Sequence, residues 1–268
     1  MRAIQLPPVA SALRHAMTLA AVALALPAGA DTPHPWVTGS PRLEKNAYFS
    51  NLRSGDEVDS PFLVKFGLSG IGIAAVGKPV PATGHHHLMI DRELPLDFTQ
   101  PLPFNAQYVH FGKGQMEAVL DLPAGEHELR LVFADDKHIP NFVYSDVLRI
   151  RVRGPGGRDK SALAGRSVDI LTPPDGAQVA APFLLGLHAS GFNVSHVDVK
   201  AANTGHFRVT LQTPDGKAEQ IVLADGQTQV WLQPPPGRYA VSTELVGNAP
   251  PAPVLGRSPL RQVTVTAR

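Results

Sequence analysis

The chain contains no cysteine. Without thiols there are no disulfides, so each domain must be held by its own core, and any metal site must be built from histidine, methionine and carboxylates. Basic runs are missing as well. The 24 Lys and Arg residues are scattered against 23 Asp and Glu, which argues against nucleic acid or anionic lipid as a partner. The one long apolar stretch is residues 16–26, interrupted only by Thr18. That stretch falls short of the roughly 20 residues needed to cross a bilayer, so no membrane span is expected in the mature chain. There is no Gly-x-Ser-x-Gly elbow, and Gly67, Gly70 and Gly72 are followed by no helical pattern that could cradle phosphate.

Arg2 and Arg14 precede the apolar stretch, and Pro27-Ala28-Gly29-Ala30-Asp31 follows it. A basic start, a short apolar core and an Ala-x-Ala end are what signal peptidase reads. Residues 1–30 are therefore expected to be a signal peptide cleaved near Ala30, leaving a periplasmic or secreted protein. No cysteine follows the cleavage site, which excludes a lipoprotein. Losing Arg2 and Arg14 takes the formal charge of +1 to near neutrality.

Glycine (24) and proline (26) are plentiful, and they punctuate short runs of two-residue alternation with no sustained helical period. The runs repeat. Residues 48–68 match 168–187, Thr83-Gly84-His85 falls on Thr204-Gly205-His206, and Gly114-Gln115 falls on Gly226-Gln227. Pro123-Ala124-Gly125-Glu126-His127 then falls on Pro235-Pro236-Gly237-Arg238-Tyr239. About seven short strands per copy is the count for an immunoglobulin-like antiparallel β-sandwich, with an open barrel as the alternative. The expected organisation is a flexible lead-in at 31–45, a His-rich sandwich at 46–153, a Gly-rich linker at 154–166 and a degenerate repeat at 167–268. Tyr239 suits a corner where its hydroxyl bonds back to the preceding backbone, and His127 holds that place in the first copy.

Three consecutive histidines, His85, His86 and His87, open a strand in the first copy. Reading strands B to G at 62–69, 85–91, 107–111, 115–122, 126–134 and 146–153 places His110 at the end of D. His138 and its neighbours Asp135 and Asp136 lie in the loop leaving F. Alternating strand directions would bring these segments to one pole. His86 aligns with Phe207 and should face inward with Leu88 and Ile90. His85, His87 and Met89 then share the outer face. Glu117 is read as part of a solvated face.

Imidazoles from three separate segments suit zinc or copper, and Met89 would bias the choice toward copper. His85, His86, His87, His110 and His138 are the candidate ligands. Asp135, Asp136 or Asp91 would accept the N–H that a ligating ring turns away from the ion. The second copy has Phe207, Arg208, Val222 and Pro250 where the first has His86, His87, His110 and His138. A fold that persists without these residues does not need them for stability, which points to function. A His–Asp network recognising a non-metal ligand is the rival chemistry.

The segments TGHHHLMID (83–91) and HFGKGQMEAVLDLPAGEHELRLVFAD (110–135), followed by His138, resemble an exported bacterial domain family of unknown function. Its marks are GHHHLxID, HFGxGQxE and PxGxHxL segments, here spanning about 47–153, with the second copy a degenerate relative. The resemblance implies export and a small β domain, and it brings no established activity. The sequence thus predicts an exported binding protein holding copper or zinc. Its alternative is a non-catalytic adaptor for a cell-envelope partner. No residue set is assigned to catalysis, because a metallo-hydrolase or oxidoreductase would need a general base that the pattern does not supply.

Overall fold

Alternation bounded by Gly and Pro forms strands because successive side chains of an extended chain point to opposite faces. A computed structural model describes residues 33–41, 45–77, 79–95 and 97–267. The signal-peptide reading of residues 1–30 lies outside the described residues. His34–Arg268 form one unit.

The first half contributes β1 (Val37–Thr38), β2 (Asn46–Phe49), β3 (Glu57–Ser60), β4 (Phe62–Ser69), β5 (Gly72–Ile73) and β6 (Thr83–Ile90). It continues with β7 (Tyr108–His110), β8 (Glu117–Leu120), β9 (Gly125–Ala134), β10 (Pro140–Tyr144) and β11 (Leu148–Pro155). A single-turn helix, α1 (Lys160–Leu163), leads to the second half: β12 (Ser167–Thr172), β13 (Ala177–Ala180), β14 (Phe183–Ser190), β15 (Asn193–Val194) and β16 (Thr204–Gln212). The chain closes with β17 (Ala218–Leu223), β18 (Gln229–Leu232), β19 (Gly237–Gly247), β20 (Val254–Arg257) and β21 (Arg261–Thr266).

The protein is all-β, a pair of immunoglobulin-like sandwiches. In the first half the short sheet β2-β4-β8 faces a sheet of order β3-β11-β9-β6-β5, with β7 added to β6 and β10 to β9. The second half repeats both sheets strand for strand, β12 to β21 standing for β2 to β11. Pairing is antiparallel except for β3–β11, β5–β6 and their repeats. Apolar residues from the facing sheets of both halves, among them Phe66, Leu88, Phe133, Leu187, Phe207 and Leu245, form one continuous core. The corner expected at Tyr239 is present: its hydroxyl donates to the Pro235 carbonyl at 2.8 Å. His127 Nε2 makes the same bond to the Pro123 carbonyl at 2.9 Å.

The halves meet through a pseudo-symmetric pair of backbone bonds. The Ile73 amide donates to the Gly226 carbonyl at 2.9 Å, and its counterpart, the Val194 amide, donates to the Gly114 carbonyl at 2.8 Å. Gly114 and Gly226 both have positive φ, and a Cβ on either would collide with the Val194 or Ile73 carbonyl oxygen across the junction. Glycine is required there for close approach as well as for conformation.

Four expectations change. The lead-in is ordered in part: β1 pairs with β18 and Trp36 packs against Tyr239, because an apolar edge was left for a short strand to cover. The expected linker is part strand and part helix, with Lys160 bonded to Asp121 at 2.8 Å. The strand carrying His110 does not cross to the opposite sheet as a D strand would, since β7 pairs directly with β6. Glu117 does not face solvent: it bonds His188 Nε2 at 3.2 Å and the Gly191 amide at 3.0 Å across the junction.

Candidate metal centre

Strand β6 is buried on both faces, so its alternate residues enter two different environments. Leu88 and His86 point to the sandwich core, where the His86 ring meets Phe66 at 4.9 Å and Phe133 at 5.3 Å, edge to face. Both of its nitrogens are buried without a hydrogen-bond partner. Burial pushes its pKa down to about 3, so the ring is a neutral apolar filler. Phe207 fills the equivalent place in the second half. His86 therefore does not join the other histidines, because the strand's two-residue period turns it to the wrong face.

His85 and His87 point outward, and there they meet His110 and His138. His110 stands directly opposite His87 in the β6–β7 ladder, and His85 stands opposite Ala134 of β9, the strand that leads into the His138 loop. Ring centroids lie at 4.8 Å (85–110), 5.0 Å (85–138), 5.0 Å (110–138), 4.9 Å (85–87) and 5.0 Å (87–110). His85, His110 and His138 each offer a nitrogen within 4.8 Å of the other two. His85 Nε2 and His87 Nε2 are 3.0 Å apart. Imidazole nitrogens sharing one zinc-sized ion at about 2.0–2.1 Å stand roughly 3.3–3.6 Å from each other, so His85, His110 and His138 would have to draw together and the His85–His87 pair to part slightly.

Several features hold the rings there. A Cβ on Gly112 would collide with the His110 ring, so glycine keeps that space open. His138 has φ +66, a left-handed backbone in which a β-carbon is uncomfortable, and its amide and carbonyl are fixed by Asp135 and Leu102. The outer face is covered by Leu94 and Leu102, which pack with Met89, Val132 and Ala134. Phe104 lies over the cluster, stacked on His87 at 6.0 Å and 4.8 Å from both His110 and His138. Phe104 carries little signal in the sequence, being an isolated aromatic in a proline-rich stretch.

Electrostatically, His85, His87 and His110 are all made weaker bases than a free imidazole. His85 falls to about pKa 2 through burial first and then through the imidazoles of His87, His110, His138 and His86. His87 falls to about 3 through burial and the same neighbours, and His110 is lowered by burial and His138. His85 Nδ1, His87 Nδ1 and His110 Nε2 are buried with no partner. Buried polar atoms nearly always have one, so unpartnered nitrogens on three neighbouring rings call for a ligand or a further partner.

The carboxylates expected to support the rings are occupied elsewhere. Asp135 Oδ1 accepts the Lys137 and Ile139 amides at 2.9 Å, closing its own turn. Asp136 lines a neighbouring cleft of about 850 Å³ with Lys45 and Asn141. Asp91 bonds His127 Nδ1 at 2.8 Å, at the far end of β6. Met89 shares the outer face but is sealed in the apolar cluster beneath the covering segment.

The second half shows what the same frame does without a site. Arg208 and Val222 stand where His87 and His110 stand, in identical register. Arg208 is ion-paired with Glu244, which also bonds Arg257 at 2.7 Å, and His206 Nδ1 is satisfied by Asn248 at 2.7 Å.

Residues 64–153 match the family DUF4399, a domain of unknown function. The matched segment holds all four clustered histidines and Phe104. No curated protein matches the chain. Among solved structures, fibronectin(III)-like modules of Clostridium thermocellum CbhA align over 83% of this chain and 94% of theirs, at 10% identity and a TM-score of 0.24. Parabacteroides merdae beta-glucuronidase aligns over 83% of this chain and 24% of its own, at 12% identity and a TM-score of 0.21. Among the described residues no helix is long and apolar enough to cross a membrane.

Proposed function

We propose that this chain is an exported binding protein that holds one copper or zinc ion in its DUF4399 segment. His85, His110 and His138 supply the ligands, and His87 stands ready as a fourth. The observation that carries this reading is the convergence of His85, His110 and His138, each with a nitrogen within 4.8 Å of the other two, in a cluster where His85 Nδ1, His87 Nδ1 and His110 Nε2 have no partner. Neutral imidazole is the ligating form, so the depressed basicity of His85 and His110 favours metal over protons at those rings. The test is metal analysis of the purified chain after titration with copper or zinc, wild type against His85→Ala/His87→Ala. The expected result is about one ion per wild-type chain and a marked loss in the variant. Equal stoichiometry in both overturns the assignment. Export is tested by the N-terminal sequence of the secreted fraction, which should start near Asp31.

A second reading, an adaptor for the cell envelope, is favoured by one observation. Phe142 is 79% exposed and stacks on Phe98 at 4.6 Å, beside the exposed Tyr144. Phe98→Ala/Phe142→Ala should abolish retention on an envelope fraction while leaving metal stoichiometry unchanged if the stack is a docking face.

A further inference from the structure

Where the short sheets of the two halves meet, their outer faces enclose a cleft that the metal centre does not use. Strand alternation sets its walls. In β18, Val230 and Leu232 are buried, so Gln229 and Trp231 project outward. In β2, Asn46 and Tyr48 flank the buried Ala47 and stand opposite Ser69 and Gly67 of β4. The Tyr48 hydroxyl donates to Gln229 Oε1 at 3.2 Å, and Gln229 Nε2 donates to Ser69 Oγ at 2.7 Å, so the two walls are tied together. Between them lies a space of about 620 Å³, within the range of about 300–1,000 Å³ that small-ligand sites occupy.

The molecule contains this seam twice, and the other version is filled. By strand register, His188 stands in the place of Gly67 and Glu117 in the place of Gln229. His188 is fully buried and bonded to Glu117. At the open seam a Cβ on Gly67 would collide with the Tyr48 ring, so glycine gives that ring its place. Asp169 and Val119 stand where the open seam has Tyr48 and Trp231. The junction can thus be closed by a packed polar pair, and the aromatic-lined hollow is an addition to it.

The lining describes its ligand. Among the described residues, no charged side chain lines the cleft, so a phosphate, sulfate or carboxylate would find no counterion there. Its polar groups are amides and hydroxyls, which donate as well as accept and so match the hydroxyls of a sugar. The Asn46 amide and the Trp231 indole N–H bond no side chain or carbonyl among the described residues. Thr172 Oγ1 accepts the Gly186 amide at 3.1 Å and keeps its O–H to donate. Tyr48 and Trp231 add aromatic faces on which the C–H face of a sugar ring can pack. We propose that the cleft binds a neutral carbohydrate, with Trp231 and Tyr48 as the stacking surfaces and Asn46 and Thr172 bonding its hydroxyls. The proposal is independent of the metal-site reading, because none of the clustered histidines lines the cleft.

The experiment is isothermal titration calorimetry of the full chain. The probes are neutral tetrasaccharides of glucose, mannose, galactose and N-acetylglucosamine, with tetragalacturonate as the charged counterpart. The expected result is a single site for at least one neutral sugar and no binding of tetragalacturonate. Trp231→Ala should weaken that binding by ~10-fold or more, whereas Trp231→Tyr, which keeps a ring, should weaken it by less than ~3-fold. Asn46→Ala, at an exposed position of an edge strand, should weaken it by ~3–10-fold through a lost hydrogen bond, with no change in the denaturation midpoint. If Trp231→Ala lowers that midpoint, Asn46→Ala decides. Tetragalacturonate binding as tightly as the neutral sugars overturns the neutral class. No binding of any neutral sugar at millimolar concentration, or binding unchanged in both Trp231→Ala and Asn46→Ala, overturns the site.

Discussion

At the scale of single residues, His86 and His138 separate packing from function. His86 is a polar ring in an apolar cavity, with both nitrogens unpartnered, and the second half places Phe207 there. His86→Phe should raise stability by about 1–2 kcal/mol, read as a higher midpoint in denaturant, because burying an unsatisfied polar group costs about that much. Metal stoichiometry should not change. His138 sits in left-handed backbone. His138→Gly should relax that strain and gain up to about 1 kcal/mol, while metal affinity falls. A side chain whose removal stabilises the fold and weakens the ligand is held for the ligand.

His127 gives a pH dependence of definite sign. Burial lowers its basicity, but bonds to Asp91 and the Pro123 carbonyl outweigh this and raise its pKa above 6.5. A group raised on folding contributes stability that is fully present below its unfolded pKa and is lost as pH rises through the folded value. Stability should therefore decline above about pH 6.5 in the wild type, and Asp91→Asn should flatten that slope. Urea midpoints between pH 6 and 8.5 check it.

At the scale of elements, the two faces of β6 were legible because the repeat supplies Phe207 and Val209 as apolar references for His86 and Leu88. The corner at Tyr239 and His127 was legible from its Pro-x-Gly signal. The place of β7 was not. Alternation says that residues near His110 are extended, but it does not say which sheet accepts them, and the 92–107 segment is long enough to return the chain to either. His110 reaches the cluster by pairing with β6 rather than by sharing a pole with it. Strand β10 was also missed, since it follows the acidic turn at Asp135 and Asp136 that reads as loop. The supporting carboxylates were misplaced for a related reason: adjacency in sequence does not show that Asp135 will spend its oxygens on its own turn.

The turn after β7 offers a test at this scale. A Cβ on Gly112 would meet the His110 ring. Gly112→Ala should displace that ring and lower metal affinity by ~10-fold or more, as changes that disturb ligand orientation do, with little loss of fold. Metal titration beside a circular dichroism melt would show it.

At the scale of the whole molecule, the halves are joined by a continuous core and by polar contacts that no local pattern foretells. Glu117 illustrates the difficulty, since its strand reads as half-exposed and its partner, His188, lies 71 residues away. Burial works to raise its pKa, but bonds from His188, Ser190 and the Gly191 amide hold it below 4.5. A carboxyl lowered on folding contributes stability that is present above its unfolded pKa and is lost as pH falls through the folded value. Acid should thus loosen the junction below about pH 4.5, and Glu117→Gln should lose this component and show a shallower acid limb.

The Gly114 carbonyl that accepts the Val194 amide lies four residues beyond His110, on the same turn. The copy that lacks these imidazoles thus grips the turn that follows His110 in its twin. On the proposed reading, one copy carries the metal ligands and the other braces it. Damage on the second half's side of the junction, at Val194 or its neighbours, should register first as poorer metal retention rather than as unfolding.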